Sequence, residues 1–429
     1  MAWTKKKLRF LLVILVGVLS CFAAWCLDDA IIHICVMWAF CIVAMASIKF
    51  ELSHPFVWFS GGFTLYSTAY AMVYCMGLAT NGYNKENVLY PMIAMLVALT
   101  AMGDKSYKVK DIDLNAKFPY KFVDVCSWIL TALLFACVAA LVLSGYGGKS
   151  EMKQANDPFY RIGVYCARYL TFFVLLKVCS SIKKKDRFKN GKLQILLFAL
   201  PTLLFTLYTG ERDAFIRFTV VIVFALFYLK IIKKRHFLIL IPLFVLVMIL
   251  SVYFKYYFSS GIINTADRDG GILYQFLKTD FISQGRNFQY LLNNPWTKGC
   301  RNYLLILTEM LYPFVPGGLF FNPDRWFNYE VHTGTFKGYA FTLVGTGYII
   351  DGLLGVIVVF VVVGLFVRTI YKRSTHGIYG LCAYIYTITT VVFSFRESLN
   401  TLFVSTVRVV FLSIFLCRLA CMGNKKRVK

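Results

Sequence analysis

Runs of apolar residues about as long as a bilayer is thick recur along this chain, and no other feature constrains its fold as much. The hydrocarbon core of a membrane, about 30 Å deep, takes roughly 20 mostly apolar residues per helix. Such runs fall at 8–27, 30–48, 56–79, 87–103, 123–144, 158–178, 193–209, 213–232, 237–257, 339–367, 377–395 and 402–418. Inside lipid, each segment must satisfy its own backbone N–H and C=O groups, so the runs predict helices. Composition agrees: of 429 residues, 59% are hydrophobic and 16% charged, where a soluble domain carries about 25% charged residues. A soluble core also stops growing near about 250–300 residues, which excludes a single water-facing globule. The expected fold is an all-α polytopic membrane protein of about 12 transmembrane helices. The first run lacks a clear small-residue cleavage site, and Asp28 and Asp29 lead straight into the second. It reads as a retained helix rather than a cleaved signal.

The charges that remain are lopsided, 46 Lys and Arg against 21 Asp and Glu. In a membrane protein, basic loops first report orientation, because they are held on the cytoplasmic side. Clusters precede the first run (Lys5, Lys6, Lys7, Arg9) and lie between the fourth and fifth (Lys105, Lys108, Lys110, Lys117, Lys121). Others lie between the sixth and seventh (Lys183, Lys184, Lys185, Arg187, Lys189, Lys192), after the eighth (Lys233, Lys234, Arg235), after the tenth (Lys372, Arg373) and at the end. All fall on one side if both termini are cytoplasmic. The chain then reads as a nine-helix membrane region (1–257), a large extracytoplasmic loop (258–338) and a three-helix region (339–429). An amphipathic or re-entrant piece is expected at 301–315, ended by Pro313 and Pro316.

Orientation leaves a set of arginines unexplained. Arg212, Arg268, Arg286, Arg301, Arg325 and Arg396 fall on the outer side, and Arg161, Arg168, Arg217 and Arg408 fall inside apparent spans. A mid-span charge costs roughly 2.5–3.5 kcal/mol on insertion scales unless it has a partner or a polar cavity. Arg161 can snorkel to a headgroup, and Arg217 can pair with Asp213 one turn away. As a set, however, they point to an anion site, since a planar guanidinium holds phosphate bidentately and stays charged in a low dielectric.

Three segments concentrate polar chemistry. The turn Tyr208-Thr209-Gly210-Glu211-Arg212-Asp213 reads either as a hairpin capped by Asp213 or as a clamp projecting Arg212. The long loop carries Asp267-Arg268-Asp269, Gln284-Gly285-Arg286-Asn287, Asn293-Asn294-Pro295-Trp296, Glu309, Asn322-Pro323-Asp324-Arg325-Trp326 and His332. Aromatic, amide and arginine side chains together suit sugar and phosphate, although Trp and Tyr also gather at membrane interfaces. His332, Glu309 and Glu211 are the candidate bases. Asp267 and Asp269 lack the ligand count of a calcium loop and read as a turn. The glycines of Gly345-Thr346-Gly347-Tyr348-Ile349-Ile350-Asp351-Gly352-Leu353-Leu354-Gly355 let helices approach closely or break at membrane depth. The cysteines show no CxxC spacing, so no disulfide framework, metal site or cofactor is expected.

These features resemble the Wzy-type O-antigen or capsule polymerases. The likeness rests on Gly210-Glu211-Arg212, on Gly285-Arg286-Asn287 and on Gly345, Tyr348, Gly352 and Gly355 after the loop, and it covers roughly residues 200–410. It implies a fold like that of C-type membrane glycosyltransferases in a bacterial cytoplasmic membrane. It also implies that undecaprenyl-pyrophosphate-linked repeat units are joined into surface polysaccharide, without a metal. Arg212 and Arg286 match the family's outer-loop arginines, with Arg217, Arg325, Arg168 and Arg408 as further candidates for the pyrophosphate. His332 is placed like a functional histidine of the related O-antigen ligases. Implied partners are lipid-linked glycans, the bilayer, a chain-length regulator and a flippase; nucleic acid is not among them. A lipid-linked oligosaccharide flippase or an O-antigen ligase is the alternative reading.

Overall fold

The architecture is that of a computed structural model. It describes residues 2–79, 82–107, 118–146, 151–152, 155–180, 191–232, 271–279, 281–315, 319–332 and 341–423, with isolated positions at 242, 246 and 250. The ninth run (237–257), Asp267, Arg268 and Asp269, and the basic clusters at 183–189, 233–235 and 425–429 lie outside the described residues.

Regular structure among the described residues is entirely helical. In chain order the helices are α1 (Ala2–Cys26), α2 (Ala30–Ser47), α3 (Pro55–Cys75), α4 (Glu86–Met102), α5 (Tyr120–Ser144), α6 (Pro158–Ser180), α7 (Gly191–Thr209) and α8 (Arg212–Tyr228). There follow α9 (Gly271–Thr279), α10 (Ile282–Leu292), α11 (Leu304–Leu311), α12 (Leu343–Arg373), α13 (Gly377–Ser394) and α14 (Leu399–Met422). Seven of these are long and apolar enough to cross a membrane: Lys7–Cys26 of α1, then α2, α5, α6, α12, α13 and α14. Helix α4 and the 193–209 part of α7 are apolar but shorter.

The side chains are distributed as a lipid solvent requires. Helix α1 leaves Leu8, Leu15, Leu19 and Phe22 exposed, and α5 does the same with Val125, Ile129, Val142 and Leu143. In water such stripes would be costly; against acyl chains they cost nothing. Polarity goes inward instead. Helix α3 buries Ser60, Thr64, Ser67 and Thr68, and the Thr68 hydroxyl donates back to the Thr64 carbonyl at 2.8 Å. Ser127 and Thr131 of α5 bond to the carbonyls four residues earlier in the same way. A hydroxyl bonded to its own helix needs no water.

The chain divides into two compact units. The first comprises Met1–Tyr107, Ile272–Lys372 and Thr390–Ser405; the second comprises Lys108–Gly271, Arg373–Thr389 and Thr406–Lys429. In the first unit α10 lies on α3 and α4.

The run 339–367, read from sequence as one span, is not a continuous helix. A straight helix of the 31 residues of α12 would be about 46 Å long, well over a bilayer core. The backbone instead breaks at Asp351 (φ −160°, ψ 42°) and Gly352 (φ 54°, ψ −127°), and a positive φ is readily adopted by glycine. The short arm, 343–350, folds back on the long arm, 353–373. Contact is so close that a Cβ on Gly355 would lie 2.1 Å from the Gly347 carbonyl oxygen, and one on Gly347 would lie 2.4 Å from the Val356 Cα. The long arm alone has enough residues to span.

Candidate functional site

In the second unit, the α7–α8 turn is built as a rigid anchor. Gly210, at φ +70°, ends α7. The Thr206 hydroxyl donates to the Glu211 carbonyl at 3.0 Å, and the Thr209 hydroxyl accepts from the Glu211 N–H at 3.1 Å. The Tyr160 hydroxyl of α6 donates to the Glu211 carboxylate at 2.6 Å. Glu211, proposed from sequence as a base, is thereby engaged in holding the turn to α6.

The expected cap is corrected. Glu211, not Asp213, holds the N-cap position of α8 without a side-chain cap bond of its own, and the Thr206 hydroxyl accepts from the Phe215 N–H of the first turn at 3.3 Å. The Asp213 carboxylate turns to arginines instead. Arg217 Nη2 donates to its two oxygens at 3.0 and 3.1 Å, with Nε at 3.3 Å. Arg168 Nη2, from α6, lies 3.6 Å from the same carboxylate. Arg217 is 2% exposed and Asp213 11%, so the arginine is buried and the carboxylate largely shielded. The buried Tyr386 hydroxyl lies in the field of Arg217, Arg168 and Asp213, with Tyr169 close by. Tyr169 in turn donates to the Arg408 carbonyl at 2.9 Å, inside the π-helical stretch Ser405–Phe411. Two guanidiniums meet one carboxylate here, and the Glu211 carboxylate stands close by through Tyr160. Of the sequence-expected residues, Arg168, Arg212, Arg217, Arg408 and Glu211 belong to this unit.

Arg286, Arg325, Glu309 and His332 belong to the first unit. Arg286 rides on α10, which is pinned by buried amides. Asn87 of α4 donates to the Gly285 carbonyl at 2.7 Å and to the Gln289 side chain at 3.2 Å. Gln284 donates to Ser67 at 2.9 Å. Gly285 permits this approach, because a Cβ there would meet Tyr70 at 2.5 Å. Arg286 Nε reaches Asn287 at 3.4 Å, with the Tyr70 hydroxyl in its field. On the same helix, the Tyr290 ring packs 4.3 Å from that of His332. Arg286, Tyr290 and His332 therefore share one neighbourhood. Arg325 does not join it: it is exposed and stands 5.7 Å over Tyr329.

Glu309 sits on the inner face of α11, 1% exposed, with neither carboxylate oxygen in a close hydrogen bond. Burial, and then the charge of Asp324, push this carboxyl well above the usual carboxylate range, against the backbone N–H groups of Leu399 and Asn400 at the start of α14. The folded chain thus keeps its proton to higher pH than the unfolded chain. The group costs no stability below its ordinary value near 4.5, and stability falls as pH rises through and above it. Glu309→Gln is expected to flatten that fall, read as melting temperature against pH from acid to neutral. An unchanged slope would reject the assignment.

Sequence reasoning missed two arrangements. One is the amide network under α10, for which the only signal is the density of Asn and Gln at 84, 87, 284 and 289. The other is the role of Arg301, grouped by sequence with the anion binders. Its N–H donates to the Ile349 carbonyl at 2.8 Å and that of Gly299 to Tyr348 at 3.3 Å, closing the C-terminal end of the short arm. Its guanidinium lies 4.1 Å from the Phe321 ring centre and 5.7 Å from that of Trp326. A cation beside a helix C-terminus and aromatic faces is a structural placement.

No protein-family model matches the chain, and neither a curated protein nor a solved structure does.

Proposed function

We propose that the chain is a metal-independent membrane glycosyltransferase that polymerises undecaprenyl-pyrophosphate-linked oligosaccharide repeat units at the outer face of a bacterial cytoplasmic membrane. The reading includes about twelve spans with both termini cytoplasmic. The observation that carries it is the Arg168–Asp213–Arg217 cluster, where two guanidiniums meet one carboxylate beside the Gly210-Glu211-Arg212 turn. Clustered arginines at membrane depth suit the anionic group of a membrane-bound substrate. In the transfer, the bond between the anomeric carbon and pyrophosphate breaks as the acceptor hydroxyl attacks. Preorganised arginines stabilise the charge that develops on the departing pyrophosphate, and a base takes the hydroxyl proton.

The broken helix α12 favours a second reading, because transporters build their sites from discontinuous helices. One experiment separates the two. Arg212→Ala and Arg286→Ala are each expected to cut long-chain glycan by about 100-fold or more, while single lipid-linked repeats still reach the outer leaflet. Repeats retained on the cytoplasmic side would establish the flippase reading instead, and wild-type chain lengths would reject both.

A further inference from the structure

Helix α11 turns an apolar face away from the protein. Leu304 is 59% exposed, Leu307 55% and Leu311 50%, and Phe314 and Leu319 just beyond are 70% and 73% exposed. These positions recur at the spacing of one helical face. The opposite face, Leu305, Ile306 and Glu309, is buried. Between Asn302 and Asn322 the only charged residue is Glu309, and it points inward. A face turned to water would carry charge on its outer side; here the single charge lies on the other.

The face also adjoins one that belongs to a candidate membrane span. The Tyr303 hydroxyl, at the start of α11, donates to Asp351 at 2.8 Å, at the bend of α12. From that bend the long arm of α12, a candidate span, exposes Leu354, Val358 and Leu365 along one side. The apolar strip of α11 therefore begins where the lipid-facing strip of α12 ends. Beyond the exposed Tyr303–Asp351 pair at the bend, it offers no charge or hydrogen-bonding side chain to fix the register of a protein partner, whereas acyl chains need none.

We propose that the exposed face of α11 is a membrane-docking surface, seated among the acyl chains of the leaflet that surrounds the bend of α12. This does not rest on the glycosyltransferase reading. It places Glu309 and its neighbours at the membrane surface rather than out in water.

The test uses the full chain reconstituted in vesicles of phosphatidylethanolamine and phosphatidylglycerol, with a benzoylphenylalanine photoprobe at Leu307, at Leu311 or at the buried Ile306. Irradiation is expected to give phospholipid adducts, read by mass, at 307 and 311 and none at 306. Both informative probes replace exposed residues, and folding is checked by comparing each melting temperature with wild type. Crosslinks joining two copies of the chain would make the face an oligomer interface and overturn the proposal. Absence of lipid adducts at both exposed positions would overturn it as well.

Discussion

Gly355→Ala is expected to destabilise the protein by about 3 kcal/mol or more, the upper end of the cost of overpacking. The added methyl would sit 2.1 Å from the Gly347 carbonyl oxygen, and a backbone atom inside a closed hairpin has little room to move. A flexible side chain could swing aside; a carbonyl held in a helix cannot. Gly347→Ala meets the backbone of Val356 and should behave alike. Gly61, in α3, is the control, because nothing lies within 4 Å of the position its Cβ would take. Gly61→Ala should be neutral, or stabilising by up to about 1 kcal/mol from helix propensity. Thermal unfolding in detergent, followed by tryptophan fluorescence, reads all three. If Gly355→Ala melts with wild type, the two arms of α12 are not packed as described.

Arg217→Leu is expected to cost about 3–5 kcal/mol, the penalty for leaving a buried charge without its partner. Asp213 loses its bidentate partner and keeps Arg168 at 3.6 Å. Removing both charges, as Asp213→Leu with Arg217→Leu, should recover only part of that loss, because the unpaired carboxylate is gone but Arg168 loses its carboxylate in turn. Recovery in the double variant separates an electrostatic pair from simple loss of packing. If the double variant melts below Arg217→Leu alone, Asp213 is held chiefly by other groups. Glycan assembly in the same double variant provides a second measurement: on the glycosyltransferase reading it stays lost while part of the stability returns.

Much of the helical plan was legible in the sequence because lipid leaves the backbone few options. Candidate spans at 7–26, 30–47, 120–144, 158–180 and 377–394 lie close to apolar runs read directly. Helix α3 is less legible by hydropathy: its Ser, Thr and Tyr face the protein interior, so its average polarity understates how well it suits a membrane. The broken helix was legible as glycines but not as geometry, since Gly345, Gly347, Gly352 and Gly355 permit either close packing or a fold-back. The Arg217–Asp213 pair followed from spacing alone, being one turn apart on a helix. The sharing of Asp213 with Arg168 did not, because that contact joins residues 45 apart through the packing of α6 on α8. Likewise, Tyr290 against His332 depends on how the loop folds back on α10, which no local pattern encodes.

The closure of the short arm by Gly299 and Arg301 limits how far the chain is modular. The segment that ends in Gly299 and Arg301 is not a cassette that can be exchanged for another of the same length. Two carbonyls of the short arm, those of Tyr348 and Ile349, are matched to donors supplied from fifty residues upstream. A chimaera that keeps α12 but takes the preceding segment from elsewhere would have to bring backbone donors to the same two points. Diversification of such a chain would then be easier at the exposed turns than at the residues that close the hairpin.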